Sequence, residues 1–383
     1  MSSHNSGTNR VGLSENLDIP GLPGSFSLTA FFPKEASPSL WAAYFTLSER
    51  IYRELNPKGR LPNRHTVKRL LSVPNPLFNV EKWLLLDERD TPIALVSLSY
   101  DTEISPDYEG SSHICQFHIA VDPDRRRKKV ATHLLKHMIR TASDWGKDTI
   151  RADVDNVAGL EFCRHLHGHL IHKVYQHRLY LEDVDWYMVN EWCAKGRARF
   201  PDTTIQSFQE CPEEDIDEFC RIYTEIINQR PVGDIQEDLI TTPESRRIEE
   251  RSFKNRQIEW HTMTSREGDG QISALTDIMY NPQEPHRVHQ YFTGVLSKYR
   301  RRGLAKRLKA EMLLYIRERF LEAEYVTTTV AKENNAMRAI NTQLGFEPRN
   351  TLYMFQWPLQ DLERRVTRIL TALKPANSLK KKQ

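Results

Sequence analysis

The clearest hydrophobic pattern lies between Val288 and Leu314. Residues 288–295 alternate and are rich in β-branched and aromatic types, which predicts a strand. From Gly303 onward apolar residues recur every three or four positions, which predicts a helix. The basic segment 298–303 lies between them. A basic, glycine-containing turn before a helix N-terminus is typical of an anion site, because free amides and the helix dipole favour negative charge. We expect it to bind a pyrophosphate.

The same order of elements occurs earlier in the chain. Residues 113–121 predict a strand, a basic turn follows, and residues 130–145 predict a helix. Val121 and Val295 are almost as far apart in sequence as Gly168 and Gly345, which is the near-constant offset of a duplicated domain. The resulting domain prediction is a disordered N-terminus (1–25), a first domain (26–182), a bridging helix (183–200), a second domain (201–358), and a C-terminal helix with a basic tail (359–383).

Composition narrows the class of protein. The 383 residues are 39% hydrophobic and 27% charged, as in a soluble globular protein, and no apolar run approaches the ~18 residues of a membrane span. The net charge of +3 gives no general argument for nucleic-acid binding. Five cysteines, an odd number without a Cys-x-x-Cys pair, favour reduced thiols. The first residues lack the apolar segment of a secretory signal. We therefore predict a cytoplasmic protein that contacts no membrane and no nucleic acid.

Three motifs in the second half occur in a recognisable order. They are the loop Arg300-Arg301-Arg302-Gly303-Leu304-Ala305, the segment Asn334-Asn335-Ala336, and the pair Gly345-Phe346. Together they resemble the acyl-CoA loop and following helix of the GNAT acetyltransferase superfamily, and the duplication resembles the tandem arrangement of mycothiol synthase-like proteins. The resemblance implies a mixed α/β fold with two tandem GNAT domains, each with a mixed sheet and helices on both faces.

The resemblance also implies acyl transfer from acetyl-CoA, or a related acyl-CoA, to an amine, with no metal. The backbone of Gly294, Val295 and Leu296 would then pair with the pantetheine arm. The remaining cofactor-binding residues implied are Arg300, Arg301, Arg302, Gly303, Leu304, Ala305 and Asn334. Such transfer needs a held thioester, a stabilised oxyanion and a route for the proton that leaves the amine.

The catalytic residues are predicted from position. His289 lies eleven residues before the loop motif, where several family members carry a base, and the alternative is a histidine that only hydrogen-bonds within the sheet. Tyr291 shares its strand face and either lines the cleft or packs in the core. The family's acid tyrosine is replaced here by Asn341, which has no comparable proton to donate. Tyr353 in the last strand, or solvent, is the substitute.

The first copy departs from the motif. Lys129 stands where the loop glycine is expected, Cys115 occupies the base position and Arg164 the acid position. We predict that this copy is catalytically silent and either serves as a scaffold or completes the acceptor site.

A cluster of possible metal ligands follows the first helix–strand turn: Cys163, His165, His167, His169 and His172. Their spacing does not match a standard zinc pattern, and a turn from helix to strand scatters their directions, so no metal is expected.

The prediction is an N-acetyltransferase whose partners are acetyl-CoA and a primary amine of a small molecule or peptide, acting as a monomer or homodimer. One alternative is a non-catalytic acyl-CoA-binding sensor, suggested by the missing acid. The other is a nucleic-acid-associated module that uses the basic loops. The amine itself cannot be identified from the pattern.

Overall fold

The computed structural model describes residues 14–20, 22–57, 59–235 and 237–372. The first half contains strands β1 (Ser14–Leu17), β2 (Phe26–Ala30), β3 (Phe78–Asp87), β4 (Pro92–Asp101), β5 (Ile114–Val121), β6 (Thr149–Val154) and β7 (His169–Tyr180). Its helices are α1 (Pro38–Leu55), α2 (Arg64–Ser72), α3 (Tyr108–Ser111), α4 (Val130–Asp144) and α5 (Val157–His165).

Helix α6 (Trp186–Arg199) leads into the second half. The strands there are β8 (Thr204–Phe208), β9 (Glu259–Arg266), β10 (Ile272–Tyr280), β11 (Arg287–Val295), β12 (Tyr325–Ala331) and β13 (Glu347–Pro358). The helices are α7 (Ile216–Asn228), α8 (Pro243–Asn255), α9 (Leu304–Arg319), α10 (Asn335–Gln343) and α11 (Leu359–Thr371). The two halves repeat one order of elements, so the predicted mixed α/β fold with two tandem domains is confirmed. Within the described ranges, no helix is long and apolar enough to span a membrane.

The 13 strands of the described ranges form one sheet, in the order β1-β2-β3-β4-β5-β6-β13-β7-β12-β11-β10-β9-β8. The last strand of each half has crossed into the other: β7 pairs antiparallel with β12, and β13 pairs antiparallel with β6. The domain boundaries predicted along the chain therefore do not follow the sheet.

Packing explains the exchange. Leu179 on β7 is fully buried in the same core cluster as Val326 on β12. Phe355 and Trp357 on β13 lie in the core of the first half, and α11 packs beside them through Leu362. Each half therefore buries apolar side chains that belong to the other, which stabilises the pair as a unit.

The N-terminus differs from the prediction of disorder. Ser14–Leu17 pair with β2 as an edge strand, and Ile19 is 1% exposed in the core of the first half. Residues 14–20 are therefore ordered because an apolar anchor follows the strand. Residues 1–13 and the basic tail at 378–383 lie outside the described residues.

Candidate functional site

The basic loop of the second half has the geometry of an anion site. A 3₁₀ turn (Ser297–Tyr299) follows β11, and α9 begins immediately after Gly303. Arg301 and Gly303 have left-handed φ angles of 62° and 85°. No side chain caps α9 at Gly303, so the amides of its first turn, at Leu304 and Ala305, have no cap partner. A Cβ at Gly303 would meet nothing within 4 Å, so the positive φ alone favours glycine here.

Two of the loop's arginines are uncompensated. Arg300 donates through Nε to the Val295 carbonyl at 3.2 Å and through a terminal nitrogen to the neutral amide of Gln229 at 2.6 Å. Neither Arg300 nor Arg301 forms an ion pair with any described residue. Arg302 differs, because it pairs with Glu267 at 2.8 Å and stacks on the Phe200 ring at 4.1 Å. The loop thus presents two free positive charges beside unpaired helix amides.

The first loop has the same backbone and a different charge. A 3₁₀ turn again precedes it, and Arg127 and Lys129 have φ angles of 62° and 59°, close to those of Arg301 and Gly303. The Lys129 backbone therefore takes the left-handed conformation that was expected to need glycine. Two of its arginines pair with carboxylates, Arg126 with Glu54 (2.5 Å) and Arg127 with Glu161 (3.7 Å). Its own Asp122 and Asp124 pair with Arg50 of α1, at 2.7 and 2.5 Å.

The strands beside the second loop diverge. Strands β11 and β12 pair in parallel only from Arg287 opposite Tyr325 to Gln290 opposite Thr328. A β-bulge at Tyr291, opposite the Asp277/Ile278 step of β10, bends β11 at that point. The edge of residues 291–295 that faces β12 is left without a strand partner, so its backbone groups are available to an extended ligand.

Gly294 lies in the diverging part of β11. A Cβ there would come within 2.0 Å of Ile226 Cγ2 on α7, so glycine is required by close packing of that helix on the strand. Gly294 and Val295 pair on their other side with Leu275 and Ala274 of β10, and the Leu296 amide donates to Ser273. The residues predicted to bind pantetheine thus pair with β10 along one edge of the strand. Their other edge, which faces β12, has no strand partner.

A cavity of about 300 Å³ fills the gap between the diverging strands. Tyr291, Phe292 and Thr293 line it from β11, and Thr329, Val330 and Ala331 line it from β12, with Asn334 nearby. The exchanged strands complete the wall through His172 and Val174 of β7 and Leu352 and Met354 of β13. The first half therefore contributes directly to the cavity of the second half.

The predicted catalytic residues are not brought together. Tyr291 lines the cavity and is 45% exposed. His289 is half-buried outside the cavity lining, with its ring centroid 6.4 Å from that of Tyr291 and its Nδ1 3.0 Å from Thr327 Oγ1. Burial lowers the pKa of His289 to about 4, so its imidazole is neutral near pH 7. Tyr353 packs against the first-half core beside Lys173 and does not line this cavity.

The cavity residues that the pattern did not predict include His172, Gln290 and Lys309. His172 belongs to the histidine cluster considered above for metal, yet it lines the cavity, and its buried Nδ1 has no partner among the described residues. Gln290 and Lys309 are 4% and 2% exposed, and both line the cavity. A signal for Lys309 exists, because it lies four residues from both Ala305 and Leu313 on the packed face of its helix. No group of three or more metal-ligating side chains occurs within the described residues.

Comparison with known proteins identifies the architecture. The sequence model of the acetyltransferase (GNAT) family matches residues 41–168 and 217–346, one match in each half. No curated protein sequence matches the chain.

Three solved structures share the fold. A tandem GNAT protein from the clavulanic acid biosynthesis pathway has a TM-score of 0.69 at 16% identity, covering 87% of this chain and 98% of that one. A GCN5-related N-acetyltransferase from Sphaerobacter thermophilus has a TM-score of 0.59 at 14% identity, covering 87% and 96%. N-myristoyltransferase from Saccharomyces cerevisiae with bound myristoyl-CoA has a TM-score of 0.53 at 11% identity, covering 89% and 80%. At these identities the likeness concerns the fold, and it confirms two tandem GNAT domains.

Proposed function

Because the chain belongs to the acetyltransferase (GNAT) family, we propose that it transfers an acetyl group from acetyl-CoA to a primary amine in the cavity of the second half. Acyl-CoA-dependent acyl transfer is the family-level activity. The acetyl donor, the amine acceptor and the position of the site are the proposal. The observation that carries it is the difference between equivalent arginines: Arg300 of the second loop has only the neutral partner Gln229, whereas Arg126 of the first loop is held by Glu54.

In this proposal CoA lies along β11. Its pyrophosphate binds at Arg300, Arg301 and the amides that follow Gly303, because these groups supply positive charge without competing carboxylates. Its pantetheine arm pairs with the unpaired edge of residues 291–295 and adds one more strand to the sheet. The thioester then enters the cavity at the point where β11 and β12 separate.

The acceptor amine attacks the thioester carbon as the neutral base. A nitrogen–carbon bond forms, the tetrahedral oxyanion collapses, and the carbon–sulfur bond breaks, so that the sulfur leaves with its electron pair. We propose that Nε2 of His172 receives the proton lost by the amine, because its ring lines the cavity while its Nδ1 is buried beside Gly233. His289 is less suited, because it is engaged with Thr327 and its pKa is about 4.

The direct test is release of CoA thiol from acetyl-CoA with a panel of amines: putrescine, glucosamine, phenethylamine and a short peptide with a free N-terminus. We expect thiol release that depends on one class of amine, together with acetyl-CoA binding. Tight binding without release for every amine would instead favour a sensor of acyl-CoA. Absence of acetyl-CoA binding would contradict the proposal.

A further inference from the structure

The cavity contains a buried lysine. Lys309 lies in the middle of α9 with 2% of its surface exposed, and it lines the cavity. Its ammonium donates to the side-chain oxygen of Gln290, which is itself 4% exposed and belongs to the last residue pair before β11 and β12 diverge. Gln290 is held in turn, because its amide nitrogen donates to Thr276 Oγ1 at 3.1 Å. The lysine is thus fixed in the cavity wall beside the point where β11 and β12 diverge.

No anion compensates this lysine. Lys309 forms no ion pair with any described residue, and its other close group is the Phe346 ring, 5.2 Å from Nζ. The titratable side chain that faces it is His177 on β7, whose pKa is lowered by burial and further by Arg338 and Lys309. A buried ammonium without a counter-ion is strongly unfavourable. Burial accordingly lowers the pKa of Lys309 to about 7.

The surroundings favour a ligand that develops negative charge at this point. The unpaired edge of β11 begins at the cavity, where Tyr291 and Thr293 line it, and runs toward the basic loop. In the proposed pose a thioester anchored at the loop therefore brings its sulfur to the divergence beside Gln290. Aminolysis of a thioester releases a thiolate, which needs a proton or a positive partner. Asn341, at the position where the family resemblance implies an acid, is 1% exposed and has no ionisable proton.

We propose that Lys309 donates the proton taken up by the departing CoA thiolate. This inference rests on the function proposed above. As the carbon–sulfur bond breaks, the sulfur keeps the bonding electron pair and accepts a proton from the Lys309 ammonium, which leaves a neutral amine. The lysine regains a proton from solvent after the products leave, while the proton lost by the acceptor goes to the base. No further reactant is required.

The test is the pH dependence of thiol release. It is measured on the full chain at saturating acetyl-CoA, with an amine that wild type acetylates. We expect kcat to fall as pH rises through the pKa of Lys309, because the acid must carry its proton, and we expect this alkaline fall to be absent in Lys309→Met. Lys195→Met, an exposed lysine on α6, is the matched control and should leave it unchanged.

The outcomes are separable. Lys309→Gln, a polar variant, is measured alongside Lys309→Met so that the result does not depend on one variant folding. The same alkaline fall of kcat in wild type and both variants, with CoA still bound, would overturn the inference and leave the proposed function intact. Failure of wild type to bind CoA would overturn both. With an amine that wild type acetylates, both variants should release thiol at least about 100-fold more slowly.

Discussion

Arg126 is held by Glu54 through two short hydrogen bonds, of 2.6 and 2.5 Å, across the first basic loop. The equivalent arginine of the second loop, Arg300, meets the uncharged side chain of Gln229. Because the two loops share left-handed φ angles at equivalent positions, the partner of this arginine distinguishes them. A phosphate that approaches the first loop must compete with a carboxylate, whereas one that approaches the second need only displace an amide.

This contrast predicts the effect of a single charge. Gln229→Glu places a carboxylate beside Arg300, as in the first loop, and should weaken acetyl-CoA binding about tenfold, or ~1.4 kcal/mol. The effect should shrink at high salt because Arg300 is exposed. Isothermal titration calorimetry at low and high salt measures both. Gln229→Met removes the hydrogen bond without adding charge and should bind nearly as wild type does. Equal weakening by both variants would contradict the electrostatic explanation.

The two histidines predict different pH behaviour. His172→Gln should lower kcat/KM by about 100-fold or more, because a base in the cavity is lost. His289→Gln should change it less than about threefold, because that imidazole is already neutral and bound to Thr327. Burial lowers the pKa of His172, so wild-type activity should rise with pH through a value below that of an ordinary histidine. Persistence of this rise in His172→Gln would exclude His172 as the base.

The exchanged strand predicts that a first-half substitution disables the second-half site. Val174→Trp adds bulk to the cavity wall and should abolish thiol release. Val157→Trp is the same substitution in the same half, but Val157 is 72% exposed on α5, so activity should be retained. Circular dichroism checks that both variants fold. Normal turnover by folded Val174→Trp would mean that the reaction does not use this cavity.

The buried lysine predicts an unusual pH dependence of stability. The pKa of Lys309 is about 7 in the folded protein and about 10.4 in an unfolded chain, so the unfolded chain binds more protons between these values. Below about pH 7 the buried ammonium of Lys309 destabilises the folded protein to its full extent. As pH rises above about 7 the folded protein loses this charge, and the free energy of unfolding increases by up to ~1.4 kcal/mol per pH unit.

Urea unfolding near neutral pH and about two pH units higher measures this effect. Wild type should gain stability relative to Lys309→Met over that interval, and the variant should be the more stable protein near neutral pH. A constant difference between the two proteins would show that Lys309 keeps its proton throughout the interval.

The parts of the molecule predicted correctly are those that depend on local sequence. The basic loop, the helix after Gly303 and the repeat of elements follow from glycine conformation and hydrophobic spacing, which act over a few residues. The strand exchange was not predicted, because alternation indicates which face of β7 or β13 is buried but not which strand lies beside it. Tyr353 does not line the cavity, because it lies on the face of β13 opposite to Leu352 and Met354 and packs against the first-half core.

The missed residues have a similar explanation. A lysine in a basic helix is usually solvated, so composition predicts an exposed Lys309, although its spacing places it on the packed face of the helix. His172 was grouped with nearby histidines in sequence, whereas its contacts come from the other half of the chain. Gly294 was recognised as unusual in a strand, but the close contact with Ile226 that requires it depends on tertiary packing.

The proposed function requires one acyl-CoA site per chain, in the second half. Calorimetric titration of acetyl-CoA into wild type, Gly303→Glu and Lys129→Glu tests it directly, because the two positions are equivalent and both have left-handed φ angles. We predict one site per chain, lost in Gly303→Glu, where a carboxylate enters the phosphate position, and kept in Lys129→Glu. Two sites in wild type, or loss of binding only in Lys129→Glu, would contradict the account.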